Sequence, residues 1–76
     1  MEKKIVAQLK RNKDESIQIA IGSYREKVYV DIRVYAYGLK TGEFTTTKKG
    51  ITIEAKLLHK LIAGLQQAEK EISVEV

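Results

Sequence analysis

Hydrophobic and polar residues alternate with a period of two in the first part of the chain. Three isoleucines alternate with Gln18 and Ala20 in residues 17–21, a spacing typical of a half-buried β-strand. Residues 5–9 alternate in a similar way, and the charged residues 10–15 separate the two stretches. A polar break between two alternating segments indicates a hairpin turn, so we predict two antiparallel strands.

The longest predicted strand covers residues 28–37, and its two faces differ in composition. Because side chains on a strand point alternately to opposite faces, the apolar residues from Val28 to Val34 share one face, which we predict to be core. The opposite face carries Tyr29, Asp31, Arg33, Tyr35 and Tyr37.

The middle of the chain predicts further strands separated by turns. Residues 38–42 supply a turn, and residues 43–47 form a β-rich stretch. Residues 48–50 predict a tight corner in which Gly50 takes a positive φ, and residues 51–53 a short strand.

The hydrophobic period becomes helical from residue 55 to about residue 71, without a strong cap before it. Residues 72–76 alternate like a strand, either as a fifth terminal strand or as a short tail. We therefore predict an α+β fold in which four or five antiparallel strands precede one C-terminal helix. One helix cannot cover both faces of such a sheet, so the uncovered face should be polar or functional.

Composition indicates a soluble globular protein with a single domain, residues 1–76. The chain is 43% hydrophobic and 32% charged, which is unlike a disordered protein. No apolar run reaches the roughly 20 residues of a membrane span, and the N-terminus lacks a signal-peptide core. We expect an intracellular protein of the cytoplasm or nucleoid, without a membrane partner. Its net charge of +4 favours an anionic partner.

The small size of the chain favours self-association. A 76-residue protein without cysteines cannot use disulfides, so forming a homodimer is the obvious way to enlarge its core. Gly64 within a helix costs about 1 kcal/mol relative to alanine, which close approach of a second helix would explain. A tolerated glycine on a solvated edge is the alternative. The predicted dimer interface comprises Leu61, Gly64, Leu65 and Ala68.

Catalysis has little support in the sequence. His59 has no cysteine to activate and no obvious carboxylate partner, and pairing with a basic residue on a neighbouring strand would explain Asp31. The chain contains no phosphate-binding glycine loop and no metal-ligand spacing. We predict that the protein is not an enzyme and uses no metal or other cofactor.

Aromatic and basic residues gather where the longest strand begins. Tyr24, Arg25 and Lys27 precede the strand, and Lys48 with Lys49 adds a second basic point. Aromatic rings bind unstacked bases with roughly 1–3 kcal/mol each, while nearby cations contact phosphates. Tyrosine is also a common strand former, so a purely structural role explains such a pattern as well.

These segments together resemble the PC4 family of transcriptional coactivators and their bacterial relatives. The resemblance covers roughly residues 17–65, and both the order and the spacing of the motifs match. Its most specific part is the Asp-Ile-Arg triplet of residues 31–33 combined with the Lys-Gly-Ile triplet of residues 49–51. The matching positions are Tyr24, Arg25, Lys27, residues 28–33, Tyr35, residues 42–44 and residues 48–51.

The resemblance implies a homodimer of β-β-β-β-α units that binds single-stranded DNA (or RNA) with little sequence preference. Such a protein would support transcription, replication or repair and would meet transcription or replication proteins. Tyr24 would stack on a base. The residues that would contact phosphates or bases are Arg25, Lys27, Arg33, Lys48 and Lys49.

Some residues depart from the family pattern. Gly22 stands where many relatives carry a basic residue, and residues 45–47 are threonines instead of basic and Pro-Gly residues. Ala36 stands where a tryptophan often stacks on a base, and its parity is that of the predicted core face. Either a bulge intervenes, or Tyr35 or Tyr37 would take that role. These departures leave an alternative hypothesis, a homodimeric protein-interaction module that has lost nucleic-acid binding.

Overall fold

The structure, a computed structural model that describes residues 2–75, contains one four-stranded antiparallel sheet followed by a helix. The strands are neighbours in chain order, so each connection within the sheet is a hairpin. The predicted α+β fold is confirmed, with four strands. The elements are β1 (Glu2–Lys10), β2 (Glu15–Tyr24), β3 (Lys27–Tyr37), β4 (Phe44–Glu54), a 3-10 turn (Ala55–Leu57) and α1 (Leu58–Glu75).

The predicted corner at residues 48–50 lies inside one continuous strand, β4, and does not separate two strands. Arg33 pairs with Gly50 and Tyr35 pairs with Thr46, so three residues of β4 lie opposite Val34. Such an irregularity bends a strand without ending its pairing. The expected positive φ of Gly50 is confirmed at 155°.

The close approach of β3 and β4 at this bulge requires Gly50. A Cβ atom at this position would lie 2.9 Å from the Cα of Arg33 and would collide with the carbonyl oxygen of Ile32. The bulge is also held by Thr47, whose hydroxyl donates a hydrogen bond of 2.7 Å to the carbonyl oxygen of Val34. The position of the bulge is therefore fixed by the close approach of the two backbones at Gly50 and by the Thr47 hydrogen bond, as well as by the pairing of β3 with β4.

The two faces of the sheet have different surroundings. The helix face, which carries Ile19, Ile21, Val30 and Ile32, lines a space shared with α1. We call the opposite side the open face; it carries the alternate residues of β3 from Lys27 to Tyr37 and their partners on β2 and β4.

Both faces contain buried residues. On the helix face Val30 and Val34 are 6% and 8% exposed, whereas Val28, predicted as core, is 49% exposed. Val28 pairs with Ser23 beside the β2–β3 turn, at the end of the sheet. On the open face Ala20 and Asp31 are almost completely buried, at 3% and 2%.

A bulge in β1 brings both ends of that strand to the open face. Ile5 pairs with Ala20 and Ala7 pairs with Ile19, so Val6 is an additional residue. One additional residue reverses the alternation of side chains along a strand. Basic residues before and after the bulge, Lys3 and Lys10, therefore both lie on the open face.

The helical segment begins at the predicted position but extends further than predicted at its C-terminal end. Glu54 is extended and makes no side-chain capping hydrogen bond, as the sequence indicated. Residues 72–75 continue α1 and do not form a strand. The hydroxyl of Ser73 bonds the carbonyl oxygen of Glu69 at 3.0 Å, and Ile72 continues the apolar helical spacing. Val76 lies outside the described residues.

Candidate nucleic-acid interface

The centre of the open face is organised around the carboxylate of Asp31. Arg33 Nη2 lies 2.8 Å from Asp31 Oδ1, and the hydroxyl of Thr52 donates to the same oxygen at 2.8 Å. Lys3 Nζ lies 3.0 Å from Asp31 Oδ2. A buried charge needs such partners. The Asp31 carboxylate has one on its own strand, Arg33, one on β4, Thr52, and one on β1, Lys3.

Small residues on β2 let Lys3 reach Asp31 across an intervening strand. Lys3 pairs with Gly22 on β2, and Ala20 on β2 pairs with Asp31. Neither Gly22 nor Ala20 has a long side chain that would block the lysine. Gly22, which departs from the family pattern, therefore leaves room for the ion pair between Lys3 and Asp31.

The partners of Asp31 also determine its protonation. The hydrogen bond from Arg33 holds the pKa of the Asp31 carboxyl well below its usual range; burial opposes this shift, and hydrogen bonds from Thr52 and Lys3 support it. Asp31 is therefore a permanently charged structural group at neutral pH. The basic partners differ from the prediction of a residue on a neighbouring strand: Arg33 lies on the same strand, and Lys3 lies on β1, two strands away.

Arg33 connects Asp31 to the bulge of β4. Its Nη1 donates to the carbonyl oxygens of Lys48 and Thr47 at 3.2 and 3.5 Å, and the side chain is only 19% exposed. The sequence predicted a nucleic-acid contact for Arg33. The structure gives its guanidinium these internal partners and makes it a brace between β3 and the basic corner.

The two lysines at the bulge differ in their surroundings. The ammonium group of Lys49 lies 4.0 Å from a carboxylate oxygen of Glu15, whereas Lys48 has no acidic partner among the described side chains. The backbone N–H of Lys49 also donates to the Thr47 hydroxyl at 3.1 Å. Lys48 thus provides the freer positive charge at this corner.

A second basic cluster lies at the β2–β3 turn. The guanidinium carbon of Arg25 is 5.2 Å from the ring centre of Tyr24, a cation–π distance, and the Tyr24 side chain remains half exposed. Lys27 pairs with Tyr24 across the turn and forms an exposed ion pair of 3.5 Å with Glu54. The predicted stacking residue and two predicted cations therefore lie side by side.

The conformation of this turn is unusual for its residues. Arg25 and Glu26 have φ values of 50° and 67°, as in a two-residue type I′ turn. Glycine and asparagine are the usual residues at such positions, and other residues there cost of order 1–3 kcal/mol each. Backbone strain of this kind clusters at functional sites, which makes the turn a candidate for binding.

The remaining predicted aromatic residues lie at the other end of β3. Tyr35 is half-buried opposite Thr46, and Tyr37 packs edge-to-face against Phe44 with ring centres 5.4 Å apart. Ten residue steps separate Lys27 from Tyr37, or about 33 Å along the strand. The predicted site residues are therefore spread along the whole open face.

Sequence reasoning did not include Phe44 among the site residues. Its ring is 47% exposed and supports Tyr37 at the end of the open face. Phe44 belongs to the family-matching motif of residues 42–44, and that match is the sequence feature that could have identified it as a site residue. Its aromatic partner became visible only from the pairing of β3 with β4.

The predicted dimer residues lie on two parts of α1. Leu61 and Leu65 line an apolar groove between α1 and the helix face, with a volume of about 310 Å³. Ala68 is exposed, and a Cβ atom added at Gly64 would meet no heavy atom of the described residues within 4 Å. Gly64 therefore faces open space in the described part of the chain.

Residues 2–75 contain neither a metal-holding group of side chains nor a helix that could cross a membrane. No group of three or more histidine, aspartate or glutamate side chains there is arranged to hold a metal ion. In that part of the chain, no helix combines the length and the apolar character needed to cross a membrane.

The fold and the open face define a small α+β protein that presents cations and aromatic rings on the uncovered side of its sheet. The family model of Transcriptional Coactivator p15 (PC4) matches residues 11–64, which is more than half of the chain. The protein therefore belongs to the PC4 family, as its motifs indicated.

Solved structures agree with this assignment. A PC4 homolog from Burkholderia pseudomallei is 32% identical in a tetragonal crystal form, with a TM-score of 0.80 over 90% of this chain and 98% of that one. Its orthorhombic form gives 34% identity and the same TM-score, covering 90% of each chain. No curated protein matched the chain.

A bacteriophage T5 homolog of PC4 shares the fold at 20% identity, with a TM-score of 0.74 over 97% of this chain and 84% of that one. That phage protein is described as implicated in recombination-dependent DNA replication.

Proposed function

We propose that the protein binds single-stranded DNA, without catalysis and largely without sequence preference, in support of transcription, replication or repair inside the cell. The observation that carries the proposal is the exposed cluster of Tyr24, Arg25 and Lys27 on the same sheet as Lys48, which has no acidic partner among the described side chains. Flat rings next to cations suit unstacked bases and their phosphates. The T5 homolog, which is implicated in recombination-dependent DNA replication, supports this choice of nucleic acid.

The mechanism separates two kinds of contact. Tyr24 accepts a base on its ring, which contributes about 1–3 kcal/mol whatever the base. Lys48, Arg25 and Lys27 contact phosphates, which are the same in every sequence. Arg33 and Asp31 hold the sheet and the bulge in the conformation that presents these residues.

The active form in this proposal is a homodimer. The most buried hydrophobic residues of the described chain are Ala20, Val30 and Val34, a small core for a sheet of this size. The apolar groove has a lining without polar surface, and Leu65 beside it is 59% exposed. A second copy of α1 fits this groove because it offers the same apolar helix side.

Fluorescence anisotropy with matched single- and double-stranded oligonucleotides tests the binding proposal. Single strands should bind more tightly at every salt concentration, because a paired duplex does not expose base faces to Tyr24. With four to six phosphates neutralised, log K should fall with log salt with a slope of roughly −3 to −4. Equal affinity for duplex and single strand, or a flat salt response, would contradict the proposal.

Sedimentation equilibrium tests the homodimer. The wild type should sediment as a dimer, and Gly64→Leu should weaken it because a leucine separates the two helices. Ala63→Leu is the matched control, since residue 63 lies on the opposite side of the helix from Leu61 and Leu65. A wild-type protein of 8.6 kDa at micromolar concentration would contradict the homodimer.

The alternative function is a homodimeric protein-interaction module. It is favoured by Ala36 in place of an aromatic residue and by the internal partners of Arg33, which reduce the nucleic-acid surface that the family pattern implies. Dimerisation without oligonucleotide binding in the two experiments would support this alternative.

A further inference from the structure

One carboxylate holds two lysines where the sheet meets the helix. Glu54 ends β4 and directly precedes the 3-10 turn. Lys27 Nζ on β3 lies 3.5 Å from Glu54 Oε1, and Lys56 Nζ in the 3-10 turn lies 3.3 Å from Glu54 Oε2. We call Lys27, Glu54 and Lys56 the junction triad. The sequence predicted a nucleic-acid contact for Lys27 but assigned no binding role to Lys56.

The carboxylate of Glu54 does not serve the helix that follows it. Glu54 stands at the N-cap of the 3-10 turn, where polar side chains often accept backbone N–H groups of the first turn. Its side chain makes no such hydrogen bond. The hydrogen bond from Lys56 and the charge of Lys27 instead lower the pKa of the Glu54 carboxyl, which keeps it ionised at neutral pH. The structure therefore commits this carboxylate to the two lysines.

The junction triad is open to solvent and adjoins a small pocket. The side chains of Lys27 and Lys56 are 61% and 77% exposed, and that of Glu54 is 29% exposed. The pocket has a volume of about 210 Å³ and is lined by the triad together with Val28 and Ala55. Exposed ion pairs are weak, because water screens both charges. A second anion therefore has room beside the lysines and displaces only a weak contact.

The junction triad matches the charge and the shape of a phosphodiester. The Glu54 carboxylate carries one negative charge on two oxygen atoms, and each oxygen faces one lysine. A phosphodiester also carries one negative charge, shared by two non-bridging oxygens, and lysine ammonium groups bind phosphate as readily as carboxylate. Lys27 pairs with Tyr24 across the β2–β3 turn, so a nucleotide stacked on Tyr24 brings its phosphate to this place.

We propose that Glu54 limits the affinity for single strands by competing with a backbone phosphate for Lys27 and Lys56. In the free protein the carboxylate neutralises one of the two lysine charges. In the complex a phosphate bridges both lysines, and the carboxylate turns to solvent. Lys56 is then a further phosphate contact, and the strand continues from the Tyr24 turn to the start of α1. This inference rests on the proposed single-strand binding and adds to it a contact and an internal competitor.

Fluorescence anisotropy with one single-stranded oligonucleotide at several salt concentrations tests the competition. Glu54→Gln keeps the size of the side chain and removes its charge. It should bind more tightly than the wild type, by about 3-fold at about 0.2 M salt and about 8-fold at about 0.05 M, because one further phosphate contact makes the salt slope steeper by about 0.7. Its thermal stability should equal that of the wild type, since only exposed ion pairs are lost.

A double-mutant cycle with Lys56→Met separates competition from general attraction. Competition predicts that Glu54→Gln gains less affinity in the Lys56→Met background than in the wild type, because only the pair with Lys27 remains to be broken. A general effect of charge gives the same gain in both backgrounds. An undiminished gain would therefore exclude Lys56 as a contact and overturn the inference.

Glu43→Gln is the matched control for the loss of one negative charge. Glu43 directly precedes β4, at the opposite end of that strand from Glu54, and has no cationic partner among the described side chains. It should change the affinity and the salt slope less than Glu54→Gln does; equal changes would contradict the competition. Absence of wild-type binding at every salt concentration would overturn the proposed function, whereas wild-type binding that Glu54→Gln leaves unchanged would overturn the competition alone.

Discussion

Replacement of Arg33 by methionine separates a structural role from a nucleic-acid contact. Methionine keeps an unbranched apolar stem, although it is shorter than arginine, and it removes the charge and all the hydrogen bonds to Asp31 and to the bulge. The matched control is Lys27→Met, which removes a charge from the same face of β3. Lys27 forms only an exposed ion pair with Glu54, and such pairs contribute about 0–1 kcal/mol.

The expected cost follows from the contacts of Arg33. Two of its hydrogen bonds have good geometry, at 2.8 Å to Asp31 and at 3.2 Å to the Lys48 carbonyl. Breaking one partner of a buried ion pair costs about 3–5 kcal/mol. Lys3 and Thr52 remain bonded to Asp31, so we take the lower end, about 3 kcal/mol, which lowers Tm by about 12–24 °C for a domain of this size.

Thermal unfolding at a fixed protein concentration and anisotropy titrations below Tm measure the two roles. Arg33→Met should lose stability and, while folded, should keep the wild-type salt slope. Lys27→Met should keep its stability and bind with a shallower slope. If instead Arg33→Met melts within a few degrees of the wild type and its slope is shallower by about 0.7, Arg33 contacts a phosphate and the reasoning from its internal partners is wrong.

Three further predictions concern single groups. Tyr24→Ala should weaken single-strand binding by about 1–3 kcal/mol with an unchanged salt slope, and Tyr24→Phe should bind normally; loss of thermal stability in place of binding would make Tyr24 structural. Lys48→Ala should make the salt slope shallower by about 0.7. Lys49→Ala should change the slope less, because Lys49 already lies near the Glu15 carboxylate; equal changes would contradict this difference. The depressed pKa of Asp31 stabilises the fold above its unfolded pKa of about 4, so the free energy of unfolding should fall below that pH, and Asp31→Asn should remove this part of the pH dependence in urea titrations.

Local periodicity predicted most of the fold. Alternation in residues 17–21 and 28–37 gave β2 and β3, and the helical spacing gave α1. The bulge in β4 was not predictable as part of one strand, because Lys-Lys-Gly has the composition of a turn and only pairing with β3 continues the strand through it. Residues 72–75 contain β-branched residues at alternate positions, but the preceding helix continues through them.

The candidate site was predictable as a set of residues but not as a network. Motifs located Tyr24, Lys48 and their neighbours because residue type and spacing carry that information. The network around Asp31 also includes Lys3, which lies 28 residues before Asp31 and reaches it across β2. Such a contact depends on the bulge in β1 and on small residues in β2, neither of which has a local signature.

The sheet of residues 2–75 has two edge strands, β1 and β4, and each edge strand carries lysines and a bulge. Lysines and bulges on an edge strand hinder the addition of a strand from another molecule. Lys48 and Lys49 therefore act against aggregation as well as in the proposed contact with DNA. Neutralising both would make the edge of β4 more adhesive to other chains, which limits how far the basic surface can change without loss of solubility.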